Sequence, residues 1–183
     1  MGAFSNLKQK SGPLNPRQAE TKKYNNGRSS LLWVAICTAV NIGYIFAGRR
    51  FLFSAIIPGI IMDFAMYFCG MYPEEEYIND KFEFVDMSLF WGSVVVAALV
   101  ALFFLLCFIF SKKRVGWLIA GLVGFSIDTV AMVAFFGINL EMLIDIIFHA
   151  WVIISLCLGI SAHNKLKTLP PEEYYASFSE SNS

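Results

Sequence analysis

Long apolar runs constrain this chain more than any other feature. The hydrocarbon core of a bilayer is about 30 Å thick, and a helix of about 20 apolar residues crosses it. Backbone N–H and C=O groups find no water in lipid, so such runs form helices rather than open strands. We therefore predict an all-α, polytopic transmembrane helical bundle with five membrane-embedded segments. The five segments cover residues 31–48, 51–72, 87–110, 115–138 and 140–163 of the 183-residue chain.

The composition argues against a soluble domain. Hydrophobic residues make up 57% of the chain, against roughly 45–50% in soluble globular domains. Lys and Arg number 14, as do Asp and Glu, so the formal net charge is zero. A nucleic-acid-binding protein carries a basic surplus instead. We therefore expect the lipid bilayer, and no nucleic acid, as a partner.

Polar sequence flanks the predicted membrane domain, which spans residues 31–163. Residues 1–30 form a basic arm, and residues 164–183 form a Ser-rich acidic tail. Both compositions are typical of disorder, which we expect for the two segments apart from a short helix around residues 17–23 of the arm. The first apolar run begins only at Leu31, too late for a secretory signal peptide, so we interpret it as a retained membrane segment.

The number of full crossings depends on both length and charge. The first two runs are only just long enough, and Pro58-Gly59 interrupts the second. If all five runs cross, seven Lys and Arg residues fall on each side of the membrane. If one of the first two does not cross, eleven fall on the side of the N-terminus and three on the other. The positive-inside rule favours the second arrangement, with four crossings and a cytoplasmic N-terminus, whereas length alone favours five.

Ionisable residues inside the apolar runs are the strongest functional signal. Insertion of a central Asp costs roughly 2.5–3.5 kcal/mol, whereas a Leu or Phe contributes only about −0.3 to −0.6 kcal/mol. Asp145 and His149 are four residues apart and share a helix face, with Glu141 one turn earlier. The candidates for a polar cluster are Asp63, Asp128, Asp145, His149 and Glu141.

The fourth run carries a stripe of small residues. Gly116, Ala120 and Gly124 recur every four residues and lead to Asp128, a pattern that lets helices pack closely. We expect this stripe to turn Asp128 into the bundle. Asp128 lies eleven residues before the turn between the fourth and fifth runs, and His149 lies ten residues after it. Both side chains therefore lie about 15–17 Å deep, where they meet near the midplane.

A carboxylate cluster around His149 is compatible with several kinds of chemistry. It would relay protons, bind a cation or act on a lipid head group, or it would serve only to lock two helices together. Two or three carboxylates with one His suit a divalent cation, but HExxH and other dense ligand motifs are absent. We therefore expect no cofactor and assign no metal ligands. Gly-rich phosphate loops and GxSxG are absent from the sequence as well.

Several stretches resemble small multispanning bacterial membrane proteins of unknown role. The resemblance lies in NPRQAETKKYNNGRSSLL of the arm, CGMYPEE at the end of the second run, and FHAWVI and HNKLKTLPPEE near the C-terminus. It implies a location in the bacterial inner membrane. It implies no activity, cofactor or catalytic residue.

The sequence predicts function only at the level of class. The first hypothesis is a small transport-related or accessory membrane subunit with an intramembrane Asp/His cluster, and a non-enzymatic role is favoured over catalysis. The small size of the chain favours a homo-oligomer or a larger membrane complex. Two alternatives stay open. One is an intramembrane enzyme acting on a lipid or prenyl substrate, and the other is a structural membrane scaffold.

Overall fold

The computed structural model describes residues 15–47, 55–73, 77, 83–138, 140 and 142–175. Within these ranges the chain consists of helices and short connecting turns, without a β-strand. Five helices of 13 to 31 residues follow one another along the sequence. They are α1 (Pro16–Phe46), α2 (Ile56–Phe68), α3 (Ser88–Phe110), α4 (Gly116–Phe136) and α5 (Leu143–Leu166).

Four of these helices are long and apolar enough to cross a membrane. They are α1, α3, α4 and α5, with 31, 23, 21 and 24 residues. The 13 residues of α2 extend over about 20 Å, well short of a hydrocarbon core of about 30 Å. The prediction of an all-α bundle with the properties of a multi-pass membrane protein is confirmed. The run 51–72, however, forms only a shorter apolar helix.

The directions of the helices follow from the contacts at their ends. α1 is antiparallel to α3, because Tyr24 near its start contacts Ser111 after α3, and Phe46 at its end packs against Phe90 near the start of α3. α2 points the same way as α1 and α4. It begins beside the middle of α4 and ends beside the start of α3. The N-terminus of α2 therefore lies at the depth of the bundle centre.

The basic arm is helical from Pro16 onward. The short helix expected around residues 17–23 is therefore part of a longer one, and the expectation of disorder is wrong for the rest of residues 16–30. The side chain of Asn15 accepts a hydrogen bond from the Gln18 N–H at 2.7 Å, and Pro16 is the first helical residue. An Asn N-cap and a proline in the first turn both favour a helix start. The segment packs against α5 and against the turn after α3, which stabilises it. Residues 1–14 lie outside the described part of the chain.

The first part of the polar tail is ordered too. α5 continues to Leu166, and residues 172–175 form a further helical turn. The Arg17 guanidinium donates to the carbonyls of Leu166, Leu169 and Pro170, at 3.4, 2.9 and 3.0 Å. The expectation of a disordered tail is therefore wrong up to residue 175, and residues 176–183 lie outside the described ranges.

The main core lies where α1, α3, α4 and α5 meet. Leu31 and Phe125 are completely buried there. α1 and α5 approach closely at Gly27 and Gly159, because a Cβ on Gly27 would lie only 2.7 Å from the carbonyl oxygen of Ser155. The outward surfaces carry exposed Val, Ile, Leu and Phe side chains, as surfaces that face lipid do.

Candidate functional site

Asp128 and His149 form a buried pair at the centre of the bundle. Asp128 lies in the middle of α4 and His149 in the second turn of α5. Their exposed fractions are 3% and 1%, and His149 Nε2 lies 3.1 Å from Asp128 Oδ2. The sequence analysis expected these two side chains to meet, and the structure places them in hydrogen-bond contact.

The neighbours of His149 determine where its hydrogens lie. Its Nδ1 atom is 2.8 Å from the backbone carbonyl of Asp145, which can only accept, so Nδ1 carries a hydrogen. The contact between Nε2 and Asp128 then needs one further proton, held by His149 as imidazolium or by Asp128 as the carboxylic acid. Both arrangements leave the pair electrically neutral. A neutral pair avoids the high cost of an isolated charge in a low-dielectric interior.

Aromatic rings enclose the imidazole. Phe125 stacks on the His149 ring, with centroids 4.7 Å apart and planes 18° apart, and Phe148 meets the ring at its edge. Both ring nitrogens have hydrogen-bond partners, as buried polar atoms require. The imidazole is therefore held in one orientation by stacking on its face and by hydrogen bonds at both nitrogens.

Asp128 also caps the N-terminus of α2. Its Oδ2 accepts a hydrogen bond from the Ile56 N–H and its Oδ1 accepts one from the Ile57 N–H, both at 2.8 Å. These N–H groups have no intrahelical partner, because no helical carbonyls precede them. The third residue, Pro58, has no N–H. One carboxylate from α4 therefore satisfies the free donors of the first three residues of α2, at the positive end of that helix.

The predicted break of the second run at Pro58-Gly59 is corrected by this arrangement. Pro58 is the third residue of α2, and it lies in the first turn, where proline is compatible with a helix. Pro58-Gly59 therefore lies at the beginning of a helix and does not bend one. Its sequence signal was therefore real, but it pointed to a helix start near mid-depth.

Asp145 joins the site through its backbone. Its carbonyl holds His149 Nδ1, whereas its Oδ1 is buried and has no hydrogen-bond partner among the described residues. Asp145 lies in the first turn of α5, one turn nearer the N-terminus of that helix than His149. Glu141, the other predicted member on this side, lies outside the described residues.

Asp63 lies apart from the pair, so its predicted place in the cluster is wrong. It is exposed on α2 and accepts a hydrogen bond from the Tyr72 hydroxyl. It follows Ile56 by seven residues, which places it about 10 Å along the helix from the end that Asp128 caps. The sequence identified Asp63 as an ionisable residue within an apolar run. It did not show that α2 starts beside Asp128, which places Asp63 farther along the helix.

The predicted stripe of small residues on α4 contributes unevenly. A Cβ on Gly124 would lie 2.9 Å from an aromatic ring of α3, so this glycine is a true packing position. Ala120 packs partly buried against the core, whereas a Cβ on Gly116 would meet nothing within 4 Å. The sequence analysis missed Gly121, where a Cβ would lie 2.7 Å from the Leu31 side chain of α1.

A second set of caps lies at the end of the bundle where α1 begins. The Tyr24 hydroxyl donates to the Ser111 carbonyl, and Arg28 donates to the Phe108 carbonyl at 3.2 Å and to the Ser111 hydroxyl at 3.0 Å. These bonds cap the C-terminus of α3, and Arg17 caps α5 in the same way. We call Arg17, Tyr24 and Arg28 the terminal cap, and Asp128 with His149 the central cap.

The terminal cap was not predicted from the sequence, because most of the arm was expected to be disordered. Residues 17, 24 and 28 are separated by seven and four positions, which places them on one helix face. The same face continues to Leu31 in the core. Extending the helical period of the first apolar run toward the N-terminus would have revealed this set.

A small apolar pocket adjoins the central cap between α2, α3 and α4. Its volume is about 190 Å³, and Asp128 is the charged residue in its wall. The apolar part of the wall comes from all three helices. It includes Ile57, Phe103, Phe104, Gly124 and Ile127.

Comparison with known proteins adds no assignment. No family model, no curated protein and no solved structure matches the chain. Among the described residues, no three His, Cys, Asp or Glu side chains converge in a way that could hold a metal ion. The resemblance to small bacterial membrane proteins stays a prediction.

Proposed function

We propose that this chain is a small proton-coupled transport protein, with Asp128 and His149 as its proton site and α2 as the element that responds to the proton. One observation carries the proposal. A single carboxylate binds both a titratable imidazole and the N-terminus of a helix too short to span the membrane. A change in protonation at this pair therefore acts directly on the attachment of α2.

The coupling follows from the charge of Asp128. While the pair holds one proton, the carboxylate group accepts from two N–H groups at the positive end of α2. A second proton makes Asp128 a neutral acid beside an imidazolium, and hydrogen bonds to a neutral acceptor are weaker than those to an ionised one. Loss of the only proton leaves a buried net charge, which is also unfavourable. Either change alters the free energy that holds α2 against α4.

The position of α2 also supports transport. Transporters commonly place the N-termini of discontinuous half-helices near mid-depth, where the helix dipole faces an anionic group. Here α2 begins beside the centre of α4 and faces the Asp128 carboxylate. Ionisable side chains inside a membrane are costly and usually mark ion or proton pathways.

The proposed topology has four crossings, with α2 as a re-entrant segment. The start of α1 contacts both the turn after α3 and the segment that follows α5, so the three lie at the same end of the bundle. This end contains nine of the described Lys and Arg residues, from Arg17 to Lys167. The positive-inside rule then supports a cytoplasmic location for both termini, in the inner membrane that the sequence resemblance implies.

The test is coupled proton flux in proteoliposomes. Vesicles with an acidic interior and an enclosed pH dye receive external cations, anions and neutral amphiphiles in turn. We expect at least one solute class to accelerate proton efflux from vesicles containing the wild type. Asp128→Asn should abolish this efflux, whereas Asp63→Asn should retain it because Asp63 lies away from the pair.

A wild type that moves protons with no member of the panel would contradict transport. Hydrogen exchange of α2 provides the second readout, because it needs no substrate. We expect the protection factors of the Ile56 and Ile57 amides, which are corrected for the intrinsic pH dependence of exchange, to change with pH. Protection factors that do not change with pH, with both Asp128 and His149 variants merely less stable, would support the scaffold alternative.

A further inference from the structure

We propose, building on the proposed transport function, that the pocket beside Asp128 binds a small lipophilic monovalent cation in exchange for the proton of the central cap. The pocket lies between α2, α3 and α4, and Asp128 is the charged residue in its wall. The wall otherwise consists of Ile57, Val100, Phe103, Phe104, Gly124 and Ile127. Its composition therefore combines one anionic group with apolar and aromatic surface.

Electroneutrality determines the charge of the ligand. Asp128 and His149 together hold one proton, and the pair is neutral. A cation that enters while the proton remains creates a net buried charge, which is costly. If the proton leaves to water, the ionised Asp128 and the cation neutralise each other and His149 stays neutral. One proton is therefore released for each monovalent cation bound.

Asp128 can hold this cation without releasing α2. An ionised carboxylate offers about four lone-pair directions. The N–H groups of Ile56 and Ile57 use two of them. The direction toward His149 becomes free when the proton leaves, because Nε2 then carries no hydrogen. Asp128, which lines the pocket, therefore keeps acceptor capacity for a ligand there.

The wall determines that the ligand is lipophilic. A hydrated metal ion or a sugar loses its water on entry, and the apolar wall offers no groups to replace that water. Two of the wall residues, Phe103 and Phe104, are aromatic, and aromatic rings attract cations over their faces. An apolar cavity of about 150 Å³ accommodates benzene, so the pocket of about 190 Å³ fits one ring with a small cationic head.

Gly124 allows the pocket to be altered without touching the central cap. A Cβ at this position would lie 2.9 Å from Phe103 Cε1 and 3.9 Å from Phe104 Cε1, which are both wall residues. A leucine side chain at position 124 therefore displaces the Phe103 ring and disrupts the wall of the pocket. Gly116 provides the matched control on the same helix, because a Cβ there meets nothing within 4 Å.

The experiment is calorimetry on the full chain in lipid nanodiscs, with benzyltrimethylammonium as the probe. Titrations in two buffers of different ionisation heat measure the protons released per cation. We expect close to one proton per cation in the wild type and no binding to Asp128→Asn. Gly124→Leu should weaken binding at least tenfold, whereas Gly116→Leu should bind as the wild type does.

Neopentylbenzene, the uncharged analogue of the probe, serves as the comparison ligand. Equal binding of this compound, or cation binding without proton release, overturns the inference. Infrared bands of the imidazole and carboxyl groups confirm that Gly124→Leu still has an intact central cap. Cation binding with proton release but no flux in proteoliposomes supports this site and contradicts transport. Flux driven by another solute class, without cation binding, overturns this inference and leaves transport standing.

Discussion

The terminal cap and the central cap both bind free backbone groups at helix ends, but with different chemistry. Both use a side chain of one helix to satisfy the backbone groups at the end of another. The terminal cap uses Arg17, Tyr24 and Arg28 as donors to the carbonyl ends of α3 and α5. The central cap uses the Asp128 carboxylate as an acceptor at the N-terminus of α2.

The difference between the caps shows which one can respond to pH. Guanidinium groups stay protonated at any accessible pH, and the phenol of tyrosine titrates only near about pH 10. The carbonyls that Arg17 binds belong to partly exposed residues at the polar end of the bundle, where water provides an alternative partner. Asp128 and His149 are instead buried side chains of types that can gain and lose a proton. If the proposed function is right, we expect the terminal cap to be independent of pH and the central cap to respond to it.

Removal of the central cap should have the largest effect on stability. Asp128→Ala leaves the N–H groups of Ile56 and Ile57 and the Nε2 atom of His149 without a partner. Breaking a buried charged pair costs about 3–5 kcal/mol, so we expect a loss of that size in the free energy of unfolding in detergent. Asp63→Ala is the control, with an expected change within about 0.5 kcal/mol. Equal losses for the two variants would contradict a special role for Asp128.

Asp128→Asn separates hydrogen bonding from charge. The amide oxygen still accepts from one N–H of α2 and the amide nitrogen donates to His149, so only one backbone donor loses its partner. An unsatisfied buried donor costs about 1–3 kcal/mol, which is the loss we expect for the free energy of unfolding. A loss as large as that of Asp128→Ala would mean that the negative charge, and not the geometry, holds α2.

A bulky residue at the contact between α1 and α5 should have the next largest effect. In Gly27→Val the new Cβ lies 2.7 Å from the backbone oxygen of Ser155 and 3.0 Å from the Cα of Gly159, so the helices must separate. Overpacking of this kind costs about 1–3 kcal/mol, measurable as a lower free energy of unfolding. Gly43→Ala in the same helix is the control, because nothing lies within 4 Å of its added Cβ. A stable Gly27→Val variant would show that the terminal cap does not depend on close packing of α1 on α5.

The sequence predicted the central cap better than the terminal cap, for physical reasons. Asp128 and His149 stand out because a charge inside an apolar run is rare and costly. Their depth follows from the constant rise of a helix on both sides of a short turn. The third partner, the N-terminus of α2, was missed because Pro58-Gly59 was interpreted as an interruption of a helix rather than as its first turn. The terminal cap was missed because Arg17 and Arg28 are ordinary residues of a basic arm until the packing partner of that arm is known.

Removal of one donor of the terminal cap should have a smaller effect on stability. Arg17→Ala removes the donor that binds the carbonyls of Leu169 and Pro170, but water can take its place there. A typical hydrogen bond contributes about 0.5–1.5 kcal/mol, and we expect a loss of that order in the free energy of unfolding. Hydrogen exchange of residues 167–175 should accelerate, while exchange of α2 should stay unchanged. Faster exchange in α2 would show that the two caps are coupled rather than independent.

The smallest expected effect is that of replacing Asp86. This variant distinguishes a pH dependence that arises at the polar surface before α3 from one that arises at the central cap. Asp86 Oδ1 accepts a hydrogen bond from the Ser88 N–H at 2.7 Å, just before α3. This bond to the backbone, and a second one to the Ser88 side chain, lower the pKa of the Asp86 carboxyl. A carboxyl with a lowered folded-state pKa stabilises the fold above its unfolded value of about 3.9, and this contribution is lost as the pH falls through the folded-state pKa.

Asp86→Asn should therefore have a lower thermal midpoint than the wild type at neutral pH. The difference should disappear at a pH below both pKa values, because the wild-type carboxyl is then protonated as well. Between about pH 5 and pH 9 the contribution of Asp86 is constant. A pH-dependent midpoint in that range belongs to the central cap if Asp128→Asn removes it and Asp86→Asn does not. The opposite result would locate the proton response at the polar surface before α3 and contradict the contrast between the two caps.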